Sequence, residues 1–407
     1  MRFAPFLFHL RIHTSEEKTD KMQVGVIARR LPNASSISRR QLTTVRDCNR
    51  RYRYRPRIIP WQQRNSQTGR LQSEFQRHIR IPPQYLLDDY LPQYQTQTTQ
   101  QLAQKLEDAE RFLHDCNLCP HNCSVDRYKE TGYCALGAER IPVSNISPHF
   151  GEEPCISGMN GSGTIFFASC NLRCAFCQNY DISHVRDAGE MLTSDEIAEW
   201  MIKLQDLGQC HNINFVTPEH VVPIVAKAII KARELGLRIP IVYNTSSFDS
   251  LEGLKLMDGL VDIYLADFKL WSEDASKRLL KSERYPEAAR ESLKEMARQV
   301  GELKFTGDGL AKKGLLIRHL IMPNYVADGM RIMQFIAEEI GKDSFVHIMT
   351  QYFPSGHVGR KSTRGGGIRY DELNRAITDA ESEQVLHAAR QAGLWRFNEA
   401  EERGGYA

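Results

Sequence analysis

Three cysteines lie close together in the segment SCNLRCAFCQN, at positions Cys170, Cys174 and Cys177. They follow the apolar, β-rich run GTIFFA, so the sequence places them on a loop at the end of a strand. Three thiolates on one short loop can ligate three irons of a [4Fe–4S] cluster and leave the fourth iron without a protein ligand. Zinc fits such a loop poorly, because it takes four ligands and usually receives them in two pairs. The spacing therefore predicts iron–sulfur chemistry at an open iron.

The triplet and the aromatic Phe176 resemble the C-x3-C-x-aromatic-C signature of the radical SAM superfamily. In that family the open iron chelates S-adenosylmethionine (SAM), and an electron from the cluster cleaves a C–S bond to give a 5′-deoxyadenosyl radical. The aromatic residue packs near the adenine. The resemblance implies a [4Fe–4S] cluster on the three cysteines, bound SAM next to Phe176, and an external one-electron donor.

Further segments between about residues 110 and 360 are similar to one branch of that superfamily. They are CNLCPHNCSVDRYKETGYCALG, GEEPCISGMNGSG, LADFKLW and LLIRHLIMPN. The branch is the pyruvate formate-lyase activating enzyme-like proteins, in an uncharacterised subgroup. The resemblance implies that the radical abstracts hydrogen from a glycyl residue of a partner enzyme. A small molecule or another protein stays open as the target, because a shared fold does not fix the substrate.

The same resemblance carries SAM-binding roles onto residues at the ends of three predicted strands. Asp267 and Lys269 match a D-x-K pair that contacts the ribose and carboxylate region of SAM. Asn244 and Thr245 match a short polar segment after the third strand. Arg318 matches an arginine that can hold a SAM or substrate carboxylate in a bidentate pair. An Asp267–Lys269 pair that only stabilises the barrel is the alternative.

The chain departs from the family's pattern after the second strand and at the last strand. Most members carry a Gly-Gly-Glu-Pro segment that holds the SAM amino group, whereas residues 214–220 here read NFVTPEH. We expect the Thr217 hydroxyl or the Glu219 carboxylate to receive the ammonium instead. At the last strand the activase has a histidine where this chain has Gln351-Tyr352-Phe353. The remaining SAM contact and the substrate are therefore not predicted.

A second group of cysteines precedes the strands. Cys116, Cys119, Cys123 and Cys134 are separated by two, three and ten residues. Four cysteines at these spacings can form a tetrahedral zinc site or hold a second Fe–S cluster. They can also be reduced thiols packed in a small loop-rich cap. All three interpretations stay open at the level of the sequence.

From residue 163 onward, apolar runs alternate with helical segments. The runs are GTIFFASC, NINFVT, IPIVYNTS, VDIYLADFK, GLLIRHLIMP and SFVHIMTQYFP. Nearly continuous apolar strands are typical of a parallel sheet that is covered on both faces. Six such units predict an α/β fold, either a doubly wound sheet or the partial (βα)6 barrel that the radical SAM resemblance implies. Ligands then bind at the carboxyl ends of the strands.

The charge distribution separates a basic head from an acidic body. Residues 1–80 contain 18 Lys and Arg against 5 Asp and Glu, and the remainder contains 35 against 45. We predict a disordered basic tail over 1–90, a helix and Cys-rich cap over 91–160, the barrel over 161–360, and a C-terminal loop and helices over 361–407. Residues 22–45 are Arg- and Ser-rich without acidic residues, as in mitochondrial transit peptides. An intracellular location follows, with mitochondria and cytoplasm both open.

Two other function classes were weighed against an enzyme. No stretch approaches roughly 18 uninterrupted apolar residues, so we expect no membrane partner. A nucleic-acid-binding protein would use Cys116–Cys134 as a zinc module and the basic head as an arm. The acidic body and the lack of a recognition motif argue against nucleic acid.

Overall fold

The computed structural model describes residues 81–362 and 366–398. The chain divides into two units, residues 1–64 and 65–407, and every described residue belongs to the second. The predicted transit segment and most of the predicted basic tail lie outside the described residues.

Eleven strands form one mixed sheet in the described part of the chain. They are β1 (Leu86–Leu87), β2 (Ile141–His149), β3 (Ser162–Phe167), β4 (Glu190–Leu192), β5 (Ile213–Val216), β6 (Ile241–Thr245), β7 (Ile263–Asp267), β8 (Lys304–Thr306), β9 (Ala311–Leu320), β10 (Phe345–Met349) and β11 (Arg396–Phe397).

The six strands expected from the sequence form the centre of this sheet. β3, β5, β6, β7, β9 and β10 pair in chain order, and every one of these pairs is parallel. β5 and β6 are buried over their whole length, as strands covered on both faces should be. The α/β class and the mostly parallel sheet are thus confirmed. In the described residues β3 and β10 pair with β2 and β11 instead of with each other, so the barrel is open on that side.

The described residues also form helices, most of which connect successive parallel strands. They are α1 (Gln93–Thr96), α2 (Thr99–His114), α3 (Pro154–Ser157), α4 (Tyr180–Ser183), α5 (Ser194–Asp206), α6 (Val222–Glu234), α7 (Leu251–Met257), α8 (Glu273–Leu279), α9 (Tyr285–Val300), α10 (Val326–Phe335), which continues as a π-helix over Ile336–Ile340, and α11 (Asp379–Ala392). Two 3-10 turns span Pro83–Tyr85 and Asp371–Leu373.

Local sequence signals explain where two of these helices begin and end. The Thr193 hydroxyl accepts a hydrogen bond from the Glu196 backbone, and the Glu196 side chain accepts one from the Thr193 backbone. This reciprocal pair satisfies two free amides at the start of α5, as its spacing predicted. α6 ends just before Gly236, whose φ of 97° continues no right-handed helix. Both helices lie where the alternating pattern placed them.

β2 is the main element that the pattern did not predict. It runs antiparallel to β3, from His149 opposite Ser162 to Val143 opposite Phe167. Its sequence contains two prolines and no sustained alternation, which conceals it from a periodicity analysis. The position of β2 decides where the loop between β2 and β3 lies. Residues 150–161 connect β2 to β3, so this loop lies at the amino end of β3, opposite to the strand ends where ligands were expected.

Within the described ranges, no helix is both long enough and apolar enough to span a lipid bilayer.

Candidate functional site

The three cysteines of the triplet lie on the loop that leaves the carboxyl end of β3. Cys170 and Cys174 are buried and Cys177 is partly buried. The Leu172 amide donates a hydrogen bond to Cys170 Sγ at 3.4 Å, and the Ser183 hydroxyl donates one to Cys177 Sγ at 3.2 Å. The described cysteines form no disulfide. The thiols are therefore free, and two of them already receive the kind of hydrogen bond that stabilises a metal-bound thiolate.

A second loop, from Ser355 to His357, packs directly on the cysteine loop. The His357 amide donates to the Ala175 carbonyl at 2.7 Å, and the Ser355 hydroxyl donates to the Cys177 carbonyl at 3.3 Å. A Cβ on Gly356 would stand 2.7 Å from the Ala175 oxygen. Glycine at this position permits the close backbone approach that fixes the path of the loop.

Burial of Cys170 and Cys174 favours the neutral form of these two thiols unless a cation binds. Burial raises the pKa of Cys170 to about 12, and it also raises the pKa of Cys174. The charge of Lys269 opposes the second shift, which places that ammonium near Cys174. Since a metal ligand must be deprotonated, binding here would release protons.

Polar side chains from three strand ends meet at Arg318. Its Nε donates to Asp267 Oδ1 at 2.6 Å and its Nη2 donates to Asn244 Oδ1 at 2.7 Å. Lys269 Nζ donates to the other Asp267 oxygen at 2.5 Å. The two cations hold the pKa of Asp267 at about 2, against the opposing effect of its burial. The structure thus brings together four of the residues that the resemblance singled out.

Glu219 and Thr245 form a separate group beside this one, whereas the Thr217 amide donates to the Asn244 carbonyl at 2.9 Å. Glu219 is fully buried, and its Oε1 accepts from the Thr245 hydroxyl at 2.9 Å and from the Ser246 amide and hydroxyl at 2.5 and 2.7 Å. Its Oε2 has no hydrogen-bond partner among the described residues. Thr217 has a φ of 59°, an outlier for a β-branched residue. The chain therefore adopts a left-handed backbone at Thr217, within the segment where the resemblance led us to expect glycines.

Phe176, the aromatic residue of the triplet, is buried in the main hydrophobic core. Gln351 is exposed just beyond β10. Phe176 is thus positioned to pack inside the carboxyl end of the barrel, and Gln351 lies at the edge of that end.

Sequence analysis missed Glu152, which enters the barrel from the opposite end. It lies on the β2–β3 loop, yet its Oε1 accepts from the amides of Asn244 at 3.1 Å and Asn214 at 3.4 Å. Its Oε2 accepts from Arg318 Nη1 at 3.2 Å. These contacts reach β5, β6 and β9, so all of these side chains share the inner face of the barrel. The adjacent acidic residues before Pro154, in an otherwise apolar stretch, were the only signal in the sequence.

Glu153 was missed in the same way. It is buried, and its Oε1 accepts from His347 Nδ1 of β10 at 2.7 Å and lies 4.0 Å from Arg318 Nη1. A cavity of about 230 Å³ lies beside these residues in the barrel interior.

A buried carboxyl pair lies behind the strand ends. Thr245 Oγ1 is 2.9 Å from Glu219 Oε1 and 2.6 Å from Asp249 Oδ2. A hydroxyl has one proton to donate, so both contacts are satisfied only when one carboxyl group carries a proton. Burial and the neighbouring Glu219 raise the pKa of Asp249 to about 8. Asp249 is therefore the protonated partner at neutral pH.

The second cysteine group is held around a buried arginine. Arg127 Nη2 donates to Cys134 Sγ and to the His220 carbonyl, both at 2.8 Å. The Tyr133 amide donates to Cys123 Sγ at 3.4 Å. Arg127 is 3% exposed, and its Nε and Nη1 have no partner among the described residues.

This four-cysteine segment packs on the loop that carries the triplet. The Ser169 hydroxyl donates to the Cys134 carbonyl at 2.7 Å, and Arg173 Nη2 donates to the Tyr133 carbonyl at 2.9 Å. His121 Nε2 lies 2.6 Å from the Asn171 carbonyl. The two cysteine groups are thus parts of one packed region.

Neither group is arranged around one ion. Across residues 81–362 and 366–398, no three His, Cys, Asp or Glu side chains surround a point where a single metal ion would sit.

With this geometry described, the chain was compared with known proteins. Residues 164–335 match the family model of the Radical SAM superfamily, and this segment is a radical SAM domain. It begins in β3 and ends in α10, so it contains the cysteine triplet and five of the six parallel strands. The superfamily implies a [4Fe–4S] cluster and SAM.

A relative and three solved structures are similar to the chain. The uncharacterized protein MJ0674 of Methanocaldococcus jannaschii is 29% identical over 297 residues, which are 71% of this chain and 78% of that protein. Streptococcus suis SuiB bound to the precursor peptide SuiA has 12% identity and a TM-score of 0.38, and the match covers 57% of this chain but only 47% of SuiB. AdoMet-bound anSMEcpe has 10% identity over 55% of this chain and 57% of its own, with a TM-score of 0.37. Methylornithine synthase (PylB) has 13% identity over 79% and 77%, with a TM-score of 0.36.

The carboxyl pair generates a prediction about pH. The native pKa of Asp249, about 8, exceeds the unfolded value of about 3.9. Since the native state binds the extra proton, the free energy of unfolding should fall as pH rises between these values, by at most about 1.4 kcal/mol per pH unit. We expect Asp249→Asn to flatten this slope between about pH 6 and pH 8, measured as thermal stability at each pH. Asp187→Asn, at an exposed position, should keep the wild-type slope. An unchanged slope in Asp249→Asn would contradict the assignment of the proton.

Proposed function

We propose, from the radical SAM domain at residues 164–335, that the chain is an enzyme that reductively cleaves SAM and uses the 5′-deoxyadenosyl radical to abstract hydrogen from a substrate. An external donor supplies one electron, the C–S bond of SAM breaks to give methionine and the radical, and the radical leaves as 5′-deoxyadenosine. The observation that carries the proposal is the position of Cys170, Cys174 and Cys177. They lie at the carboxyl end of β3, beside polar strand ends.

The residues on the loop fit a [4Fe–4S] cluster. Three free thiols, a backbone amide on Cys170 Sγ and a hydroxyl on Cys177 Sγ form a donor set suited to iron. When bound, the cluster supplies the electron and an iron that can take the amino and carboxylate groups of SAM. The protein keeps this loop in place through Gly356 and its neighbours, which cover the Cys174–Cys177 turn.

The strand-end residues are proposed to orient SAM. Lys269 and Arg318 offer cations toward the SAM carboxylate and ribose region, while Asp267 holds both of them in place. Asn244 is fixed by Arg318, and Phe176 packs at the mouth. These contacts restrict the rotamers of long side chains, so little conformational entropy remains to be lost on binding.

Glu219 is the better of the two candidates to accept a hydrogen bond from the SAM amino group. Its Oε1 is occupied by Thr245 and Ser246, but its Oε2 is a buried acceptor without a partner among the described residues. A buried carboxylate oxygen is stabilised by an N–H donor, and an amino group bound to iron still carries N–H groups. Thr217 contributes the backbone turn that directs the following residues, and Thr245 positions Glu219.

Two substrate classes follow from different observations. The activase-like segments support a glycyl residue of a partner enzyme as the target. The cavity of about 230 Å³ beside Arg318 favours a small molecule or a single side chain. We propose hydrogen abstraction as the common step, with the glycyl target as its activase-like version.

We also propose a second Fe–S cluster at Cys116, Cys119, Cys123 and Cys134. The support comes from Arg127, a buried guanidinium whose partners are a sulfur and a carbonyl. It forms no ion pair with a carboxylate in the described ranges. Burying an unpaired charge costs several kcal/mol, and neutral thiols would not offset that cost. Thiolates that ligate a metal cluster would provide the missing negative charge.

Cleavage of SAM is the first test. Anaerobic protein reconstituted with iron and sulfide, then given dithionite and SAM, is expected to form 5′-deoxyadenosine. Cys174→Ala should form none above background, because only two ligands remain on the loop. Cys210→Ala removes a buried cysteine outside both groups and should keep the activity.

A fully loaded wild type that forms no product is then titrated with SAM. SAM binding would indicate that cleavage awaits the substrate. Failure to bind SAM would refute the proposal.

Metal content tests the second cluster. We expect about eight irons and no zinc per wild-type chain, as for two [4Fe–4S] clusters. A Cys119→Ala, Cys123→Ala double variant should lose about half of the iron, and Cys210→Ala should lose none. Four irons with one zinc would establish the zinc alternative, and four irons alone would establish packed thiols.

A further inference from the structure

The cavity beside Arg318 is lined mostly by residues that the proposed SAM site does not use. Its walls include Glu152, Glu153, Arg318, His347, Met349 and Gln351. Two of them come from the β2–β3 loop, and the others come from β9, β10 and the turn after β10. Only Arg318 is shared with the strand-end group described above.

One acceptor in this cavity is left without a partner. Glu153 is 4% exposed, and its Oε1 is occupied by His347 Nδ1. Its Oε2 is buried and accepts no hydrogen bond from any described residue. A buried carboxylate oxygen in this state costs free energy until a donor arrives. The oxygen therefore indicates a ligand that carries N–H or O–H groups.

The charges around Arg318 indicate which kind of donor. Glu152, Glu153 and Asp267 all lie within 4.0 Å of its guanidinium. Lys269 compensates Asp267, and His347 contacts Glu153, so two cations face three carboxylates while that imidazole is neutral. Burial, with the charges of the other two carboxylates, raises the pKa of Glu152 to about 7, although Arg318 opposes the shift. One more cation would balance the group and let Glu152 remain ionised at neutral pH.

We propose that this cavity binds an ammonium or guanidinium group of the substrate, with Glu153 Oε2 as its acceptor and Glu152 as its counter-charge. The proposal rests on the proposed function, since it names the substrate class of that enzyme. It excludes an anionic group in the same place, which would meet two carboxylates. It also separates the substrate cation from the SAM amino group, for which Glu219 Oε2 is the proposed acceptor.

The size and position of the cavity support this assignment. A volume of about 230 Å³ accommodates a small amine or the end of a lysine or arginine side chain, and not a folded peptide loop. The ammonium or guanidinium group would lie on the side of Arg318 that faces the amino ends of the strands. A carbon attached to it would extend toward the mouth, where the radical is proposed to form.

The test uses the full chain with its clusters reconstituted and n-butylammonium chloride as the probe. Sodium butyrate and n-butanol are the matched anionic and neutral probes, at equal ionic strength. At about ten times its dissociation constant, the amine is expected to raise Tm by roughly 2 °C. The other two probes should have no such effect. Glu153→Gln should weaken amine binding about tenfold or more, and Glu152→Gln should weaken it as well. Glu234→Gln, at an exposed helix end, should not.

Binding of SAM is measured on the same samples, so that the two proposals can fail separately. The Glu153→Gln variant should keep its SAM dissociation constant within about twofold, since its role is in substrate binding. Stabilisation by butyrate or butanol equal to that by the amine would overturn the cation site. Undiminished amine binding in both glutamine variants, or loss of SAM binding in Glu152→Gln and Glu153→Gln, would overturn it too. If Glu153→Gln does not fold, the proposal is tested by amine binding to Glu152→Gln and by the comparison of the three probes on the wild type. A wild type that binds the amine but not SAM would instead contradict the proposed function.

Discussion

The guanidinium of Arg318 is the cation around which the barrel interior is organised. It contacts carboxylates from β7 and from the β2–β3 loop, and it also contacts an amide from β6. A buried charge is stable only when it is paired. The segments that contact Arg318 must therefore pack together for β9 to be buried. The same contacts fix Asn244 and Asp267 at the strand ends. Arg318 thus links the β2–β3 loop, which approaches from the amino ends of the strands, to the carboxyl ends, where SAM is proposed to bind.

A second constraint acts on the loop that follows β3. Backbone contacts from Ser355 to His357 cover it on one side, and the four-cysteine segment contacts it through Ser169 and Arg173 on another. Three thiols on a loop held in this way keep their spacing without a disulfide. The second cysteine group therefore has a structural role, because it supports the loop on which the proposed catalytic cluster depends.

The sequence predicted those parts of the fold that follow from local patterns. The six parallel strands are apolar and bounded by clear helix signals, such as the Thr193–Glu196 pair. The family resemblance then selected Asp267, Lys269 and Arg318 at the ends of these strands, and the structure brings the three side chains into contact. β2 was not predictable, since its two prolines and polar residues resemble a loop until β3 is present as a partner.

Glu152 and Glu153 show why part of the site also stayed hidden. Each lies more than 160 residues from the Arg318 guanidinium that it approaches, and nothing local in a Glu-Glu-Pro segment predicts entry into a barrel. Glu219 was identified from its position in the family's pattern. The contacts with Ser246 that occupy one of its oxygens depend on how β5 and β6 end. Contacts between residues that are far apart in the sequence decide these roles. No periodic pattern in a single sequence predicts such contacts.

The central claim is that SAM binds at an iron held by Cys170, Cys174 and Cys177. Electron paramagnetic resonance of the reduced, reconstituted protein tests it most directly, because a ligand that binds an iron of the cluster changes the g values of its signal. We expect the wild-type signal to change when SAM is added, and we expect Cys174→Ala to lack that component. A fully loaded wild-type cluster whose signal is identical with and without saturating SAM would contradict the account.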